Sequence, residues 1–270
     1  MQVCETDIFF IGIGLSGLRG CSIETLDILD QMDEIFIEKY TNFVPEEISP
    51  LSGYLKNTKI TILDLVDIEN NDQRFLDKIK GKSVAILIPG DPFIATTHNS
   101  LRIAAINRGF NCQIIHNSSI LTAAASVSGL SAYRFGRTVT CPFPHSPSEF
   151  PYEIIKLNAQ IGAHTLVLLD INTVTGEFLS VNEAISILLI LEEKKHEKVI
   201  KRTSLVIGLA QVGTGNEFIV PGNADEVKNI GWKDIGPPQA LIVCSEPLHF
   251  TEEEALKTFW DIDLSNRKSQ

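Results

Sequence analysis

Short apolar segments alternate with helical segments over the first 116 residues, and this alternation limits the possible folds more than any other feature. Strands are predicted at 8–13, 34–38, 59–65, 83–88 and 112–115, and helices at 23–32, 74–80 and 97–108. Parallel strands need a long crossover, usually a helix, between one strand and the next. Such sheets have helices on both faces. The sequence therefore predicts a parallel α/β domain over residues 1–116.

Residues 117–270 are predicted to form a second α/β domain. Its strands are expected at 138–141, 165–170, 204–210 and 240–243, and its first helix at 152–160, after a loop at 146–151 that holds two prolines. Asn182 is expected to cap a helix that runs to about residue 198. Thr251 and Glu254 fit a capping box that opens the last helix, because each side chain can satisfy a free backbone amide.

Composition and charge narrow the classes of function. The chain has 34 Asp and Glu against 23 Lys and Arg, a net charge of −11, which argues against broad contact with nucleic acid. No apolar run reaches the ~18 residues of a membrane span, and the start lacks the basic region of a signal peptide. The five cysteines are scattered and show no zinc-ligand spacing. We expect a cytoplasmic protein without metal, membrane or nucleic acid.

A glycine-rich loop follows the first strand and suggests a dinucleotide site. Gly12, Gly14 and Gly17 match G-x-G-x-x-G, and Glu38 ends the second strand at a suitable distance for a ribose contact. A nicotinamide or flavin dehydrogenase is therefore one alternative. However, four residues separate Gly17 from Ser22, the expected helix cap, so the helix starts too late to direct its amides at a pyrophosphate. A glycine turn is the favoured interpretation.

The segment PGDPFIATTH at 89–98 is the most specific in the chain, and it lies between a buried strand and a helix. Gly90 permits a backbone conformation closed to other residues, and Pro92 stiffens the turn. Asp91 would project from the carboxyl end of a parallel strand, where ligands bind in open α/β sheets. A purely structural Asx-Pro turn, with Thr97 capping the helix, is the alternative.

The strand–GDP–helix arrangement after IGIGL resembles the tetrapyrrole (corrin/porphyrin) methylase superfamily, and the longer motifs resemble its diphthine synthase family. The motifs are collinear and cover nearly the whole chain. They are PGDPFIATTH at 89–98, IIHNSSI at 114–120, YRFG at 133–136, HTLVLLDI at 164–171, GLAQVG at 208–213 and GPPQALI at 236–242. The resemblance implies two α/β domains with a cofactor cleft between them.

The resemblance also implies S-adenosylmethionine as the cofactor, with no metal. The matching positions in the first domain are Leu15, Asp91, Ile94, Ser119 and Ile120, and those in the second are Leu169, Val212 and Gln239. Gln239 departs from the family pattern, since many relatives have His there. Without the resemblance, the apolar members of this set would be read as core residues.

The substrate implied by the resemblance is an aminocarboxypropyl group on a histidine of translation elongation factor 2. Its amino nitrogen is methylated repeatedly, three times in the archaeal type, and the eukaryotic type also methylates the carboxylate. Relatives are homodimers. The amine must lose a proton before attack, and we expect water or a cleft carboxylate to accept it, without a dedicated general base. Alternatives are a precorrin C-methyltransferase and a non-catalytic module that binds S-adenosylmethionine.

The histidines are expected to be structural. His98 is expected to cap or pack its helix, and His116 and His164 to be satisfied at strand ends. His249 is expected in a turn, and His196 at a solvated helix end.

Overall fold

A parallel five-stranded sheet forms the first half of the chain, in the order β3-β2-β4-β1-β5. The computed structural model describes residues 5–38, 60–63 and 72–261. The strands are β1 Asp7–Gly12, β2 Glu34–Glu38, β3 Ile60–Leu63, β4 Ser83–Ile88 and β5 Asn111–Ile115, and the helices are α1 Ile23–Leu29, α2 Asp72–Lys78 and α3 Asn99–Asn107. The predicted parallel sheet is confirmed. Residues 59, 64 and 65 of the third predicted strand lie outside the described residues.

Helices cover both faces of this sheet, as the sequence predicts. On one face Ile8 and Phe10 pack with Phe75 of α2 and Leu101 of α3. On the other face the alternate strand residues pack with Leu29 of α1. Burial of apolar side chains on both faces explains why the strands read as nearly continuous apolar runs.

The first helix starts late, as predicted. A 3-10 turn at Gly17–Gly20 follows the glycine loop, and α1 begins only at Ile23. Ser22 caps it, because its hydroxyl accepts a hydrogen bond from the Thr25 amide at 3.1 Å. The helix ends at Leu29, earlier than the predicted residue 32, and α3 starts at Asn99, later than the predicted residue 97.

The second sheet is mixed and has the order β11-β10-β12-β7-β6, and a separate two-stranded sheet pairs β8 with β9. Its strands are β6 Val139–Cys141, β7 Thr165–Leu169, β10 Leu205–Ala210, β11 Phe218–Asn223 and β12 Gln239–Val243, and the small pair is β8 Ile171–Asn172 and β9 Glu177–Phe178. Strand β11, which contains Pro221 and Gly222, is absent from the predicted strands. Both residues are tolerated because β11 lies at the edge of the described sheet, where β10 is its neighbour.

Six helices accompany this sheet in the described part of the chain. They are α4 Ile120–Ser128, α5 Phe150–Gln160, α6 Val181–Lys195, α7 Ala224–Lys228, α8 Trp232–Ile235 and α9 Phe250–Trp260. The sequence predicts a loop at 146–151, but α5 begins at Phe150, and Pro151 lies in its first turn. The end of the predicted loop is therefore wrong. Proline is well suited to that turn, where amides have no helical partner.

Two predicted helix caps are wrong by two residues. Ser180, not Asn182, caps α6, since Glu183 accepts a hydrogen bond from the Ser180 amide at 3.0 Å, and the helix ends at Lys195. His249, not Thr251, caps α9, and Glu252 accepts from the His249 amide at 2.9 Å. In each case an acid three residues on completes the box around the earlier cap.

The chain divides into two compact units, 1–120 and 121–270. The boundary predicted from the sequence lies at 116/117, and that position stays a prediction. Among the described residues, no helix is both long and apolar enough to cross a membrane.

Candidate active site

The carboxyl ends of β4, β1 and β5 lie side by side in the first unit, because β1 pairs in parallel with both neighbours. Every site residue predicted in this half of the chain follows one of these ends. Leu15 follows β1, Asp91 and Ile94 follow β4, and Ser119 and Ile120 follow β5. The structure therefore brings these five residues to one edge of the sheet, which we call the first edge.

Close backbone contact joins the glycine loop to the GDP turn. The Gly14 amide donates to the Gly90 carbonyl at 3.1 Å, and the Gly90 amide donates back to the Gly14 carbonyl at 2.9 Å. Gly90 has φ +74°, as its predicted role requires. A β-carbon on Gly12 would lie 2.5 Å from the Gly90 carbonyl oxygen. Glycine at position 12 is therefore needed for the two loops to meet.

Asn117 ties a third loop to this contact. Its side-chain amide donates to the carbonyls of Gly12 and Gly20, both at 3.0 Å. Its side-chain oxygen accepts from the Ser118 amide at 2.7 Å. In the sequence, Asn117 stands out only as part of the motif at 114–120. An asparagine directly after a strand, which can bond to nearby backbone, was the available signal.

Asp91 contacts the loop after β5. Its Oδ2 lies 2.8 Å from Nδ1 of His116 and accepts a longer bond of 3.4 Å from the Asn117 amide. Among the described residues, no hydrogen bond reaches Oδ1. The Asp91 side chain is 12% exposed, whereas that of His116 is 74% exposed. This carboxylate is held in place through Oδ2, so its Oδ1 can accept a hydrogen bond from another group.

The apolar residues of the first edge are not ordinary core residues. Ile94 is 39% exposed, and Leu15 and Ile120 are half-buried. Ser119 is buried. Partly exposed apolar side chains beside a fixed carboxylate can form a wall for a flat ring, such as adenine.

The predicted residues of the second unit also meet at one edge, which we call the second edge. Leu169 ends β7, Val212 follows β10, and Gln239 opens β12, which runs antiparallel to both. Gln239 pairs with Ala210, and the next residue, Ala240, pairs with Leu168. Leu169 and Val212 are buried, so their side chains also serve the core.

The side chain of Gln239 is engaged by backbone groups. Its oxygen accepts from the Val181 amide at 3.0 Å, and its Nε2 donates to the carbonyls of Trp232 at 2.7 Å and Gly236 at 2.9 Å. These three bonds join the start of α6 to the turn before β12. The side chain of Gln239 therefore stabilises the backbone at the second edge.

A second histidine–carboxylate pair lies in the core of the second unit. His164 and Glu252 are fully buried, and Nε2 lies 3.1 Å from Oε1. The Ser245 amide donates to Nδ1 at 3.0 Å, so the proton of the neutral ring is on Nε2 and is donated to Glu252. Glu252 also pairs with Arg134 and accepts from the Ser131 amide at 2.9 Å. The expectation of a satisfied His164 is confirmed.

Burial and hydrogen bonding set the charges in this core cluster. Burial lowers the pKa of His164, although Glu252 opposes part of that shift. Burial alone would raise the pKa of Glu252, but the amides of His249 and Ser131 and the His164 ring lower it below its usual range. Glu252 is therefore ionised and balanced by Arg134. The sequence alone predicts a capping box with Glu254 as its acid and gives Glu252 no role.

Groups that could hold a metal are absent from the described part of the chain, where no cluster of three or more His, Cys, Asp or Glu side chains occurs. The four described cysteines are Cys21, Cys112, Cys141 and Cys244, and no disulfide joins any two of them.

Comparison with known proteins identifies the family. Residues 7–228 match the family model of the tetrapyrrole (corrin/porphyrin) methylases. A diphthine synthase of Methanosphaera stadtmanae is 39% identical over 95% of this chain and 97% of its own length. One from Methanosarcina mazei is 36% identical over 92% and 93%, respectively.

Structure comparison agrees with the sequence matches. A crystal structure of a diphthine synthase superposes with a TM-score of 0.83 and 30% identity, over 94% of this chain and 96% of the other. Sequence and structure both extend over nearly the whole chain. The chain therefore belongs to the tetrapyrrole methylase family and, within it, to the diphthine synthases.

Proposed function

We propose that this protein transfers methyl groups from S-adenosylmethionine to the aminocarboxypropyl group of a modified histidine on translation elongation factor 2. The main structural support is the arrangement of the first edge. There the loops after β1, β4 and β5 are joined by hydrogen bonds, and the carboxylate of Asp91 is held in place by the loop after β5. Membership of the diphthine synthases supports the substrate.

The residues at the two edges suit this cofactor. The sulfonium of S-adenosylmethionine supplies the methyl group and gains stability when its positive charge is relieved. The free Oδ1 of Asp91 would accept from a hydroxyl or amino group of the cofactor, and Leu15, Ile94 and Ile120 would contact its apolar parts. Backbone groups near Ser119, Leu169, Val212 and Gln239 are the other proposed contacts. The chain's task is to align donor and acceptor, which can supply ~7–11 kcal/mol of the barrier.

A labelled-methyl assay tests the proposal. The protein is incubated with S-adenosylmethionine carrying a labelled methyl group and with elongation factor 2 from cells that lack the last modification steps. We expect label in the elongation factor band and none in a tetrapyrrole offered in its place. Label in the tetrapyrrole would support the C-methyltransferase alternative. Cofactor binding without any transfer would support the non-catalytic module.

Two further properties belong to the same proposal. The reaction takes place in the cytoplasm, where the elongation factor works, and the enzyme acts as a homodimer. Analytical ultracentrifugation at working concentration tests the dimer, and a single species of monomer mass would contradict it.

A further inference from the structure

The exposed histidine of the first edge has a fixed tautomer. Nδ1 of His116 lies 2.8 Å from Oδ2 of Asp91, and an ionised carboxylate can only accept hydrogen bonds. Nδ1 therefore carries the ring proton and donates it to Asp91. A neutral imidazole has one proton, so Nε2 keeps a lone pair and can accept another proton.

The position of His116 makes this nitrogen accessible and well fixed. The side chain is 74% exposed, whereas His98 and His164 are fully buried. The neighbouring Asn117 is tied to Gly12 and Gly20, which fixes the backbone that carries the ring. Of the described residues, Asp91 is the one titratable group in ion-pair contact with His116.

The proposed reaction needs a proton acceptor at this place. An alkyl amine is largely protonated near neutral pH, and only its neutral form has the lone pair that attacks a methyl group. Each methylation therefore begins with the loss of a proton from nitrogen. A positioned side chain that accepts such a proton typically contributes a factor of ~100 to 10,000 to the rate.

We propose that Nε2 of His116 accepts the proton from the substrate amine in each round, while Asp91 holds the tautomer and stabilises the imidazolium. This inference rests on the proposed function. It replaces the expectation that no dedicated base exists, because the structure places a histidine–carboxylate pair next to the proposed cofactor contacts.

The step balances in atoms and charge. The N–H bond of the substrate ammonium breaks, and a new N–H bond forms at Nε2. The amine lone pair then forms the bond to the methyl carbon, and the electron pair of the breaking carbon–sulfur bond stays on sulfur. The exposed imidazolium finally releases its proton to water, and the pair is ready for the next round.

The variant His116→Asn separates proton transfer from positioning. The asparagine amide can occupy the place of Nδ1 and still donate to Asp91, but nothing replaces Nε2. The matched control is His196→Asn, since His196 is exposed at a helix end with φ +55°, a conformation that asparagine tolerates. Single-turnover methylation of elongation factor 2 is measured for both variants from about pH 6.5 to 9.5, a range in which the neutral fraction of an α-amino group rises. Calorimetry gives the affinity for S-adenosylmethionine.

For His116→Asn we expect unchanged cofactor affinity and a methylation rate about 100-fold below that of the wild type at pH 7. The deficit should shrink as the pH rises, because the amine then loses its proton unaided, and free imidazole should restore part of the rate. His196→Asn should match the wild type. A wild-type rate in His116→Asn, or a deficit that is constant across pH, would overturn the role of His116 and leave the proposed function intact. Failure of the wild type to methylate would overturn both.

Discussion

In the described part of the chain, both units contain a histidine–carboxylate pair, and the pairs His116–Asp91 and His164–Glu252 differ mainly in their exposure to water. In the first unit, His116 is 74% exposed and meets Asp91 at the end of a parallel sheet. In the second unit, His164 and Glu252 are fully buried and join three segments through Arg134, Ser131 and Ser245. The chemistry is shared, but only the exposed pair can exchange protons with a substrate. The buried pair instead stabilises the fold.

The tautomers of the two rings follow this division. His116 donates a hydrogen bond from Nδ1 to Asp91, and its side chain is largely exposed, so Nε2 is open to solvent. His164 donates from Nε2, and its Nδ1 accepts from the Ser245 amide, so both nitrogens are used. A histidine whose two nitrogens are both bonded to the protein has no lone pair for catalysis. We therefore infer a role in proton transfer for His116 and Asp91 and a role in stability for His164 and Glu252.

The largest effect is expected when the buried pair is broken. Glu252→Ala leaves the Arg134 guanidinium without its carboxylate, and it leaves the Ser131 and His249 amides without their acceptor. We expect a loss of about 3–5 kcal/mol in the free energy of unfolding, as for other buried ion pairs that lose one partner. Urea denaturation measures it. Glu254→Ala, at an exposed position of the same helix, is the control and should change stability by less than ~0.5 kcal/mol.

Acid should destabilise the protein through its buried histidines. Burial lowers the pKa of His98 from 6.5 to about 4. Between these two pH values, His98 is mostly protonated in the unfolded chain and mostly neutral in the folded chain. Stability from this group is full above pH 6.5 and is lost as the pH falls from 6.5 towards 4. Between pH 7 and 5 the wild type should lose about 2 kcal/mol more than His98→Leu. Equal losses in the two proteins, measured by urea denaturation at each pH, would contradict this assignment.

The exposed pair should matter for binding more than for stability. Asp91→Asn replaces the carboxylate that would accept a hydrogen bond from the cofactor with a neutral amide. We expect S-adenosylmethionine to bind about tenfold more weakly, a change of about 1.4 kcal/mol in the free energy of binding. Calorimetry measures the dissociation constant. Asp27→Asn, at an exposed site on α1, should bind as the wild type does. Unchanged affinity in Asp91→Asn would remove Asp91 from the cofactor site.

The smallest effect is expected at Gln239. Histidine has one donor and one acceptor in its neutral form, so it cannot reproduce all three backbone bonds of the glutamine. Gln239→His should therefore lower the free energy of unfolding by about 1 kcal/mol. Thermal unfolding would show it as a small decrease in Tm. An increase in Tm would mean that the surrounding backbone prefers the imidazole.

The sequence predicts the first unit better than the second for physical reasons. Strands buried on both faces, such as β2 and β4, have an unbroken apolar signature, and Ser22 has the local pattern of a cap. The edge strand β11 lacks that signature, because one unpaired side tolerates Pro221. Capping assignments failed at Ser180 and His249, where a second polar residue nearby offered an equally good local pattern.

The candidate site was predictable only in part. Its members could be placed at strand ends, and the resemblance supplied the ligand. The pairing of Asp91 with His116, 25 residues apart, depends on β4 and β5 flanking β1, which no local pattern specifies. The same holds for His164 and Glu252, which are 88 residues apart. Contacts of this kind arise from strand order and tertiary packing.

Mass spectrometry of the modified elongation factor shows directly whether the protein methylates the modified histidine. Elongation factor 2 that carries the unmethylated aminocarboxypropyl-histidine is incubated with the protein and S-adenosylmethionine, and the peptide with that histidine is then weighed and fragmented. We expect stepwise increases of one methyl mass, located on the modified histidine, and their number gives the count of transfers. A peptide of unchanged mass, or methyl groups located on another residue, would rule out the proposed methyl transfer.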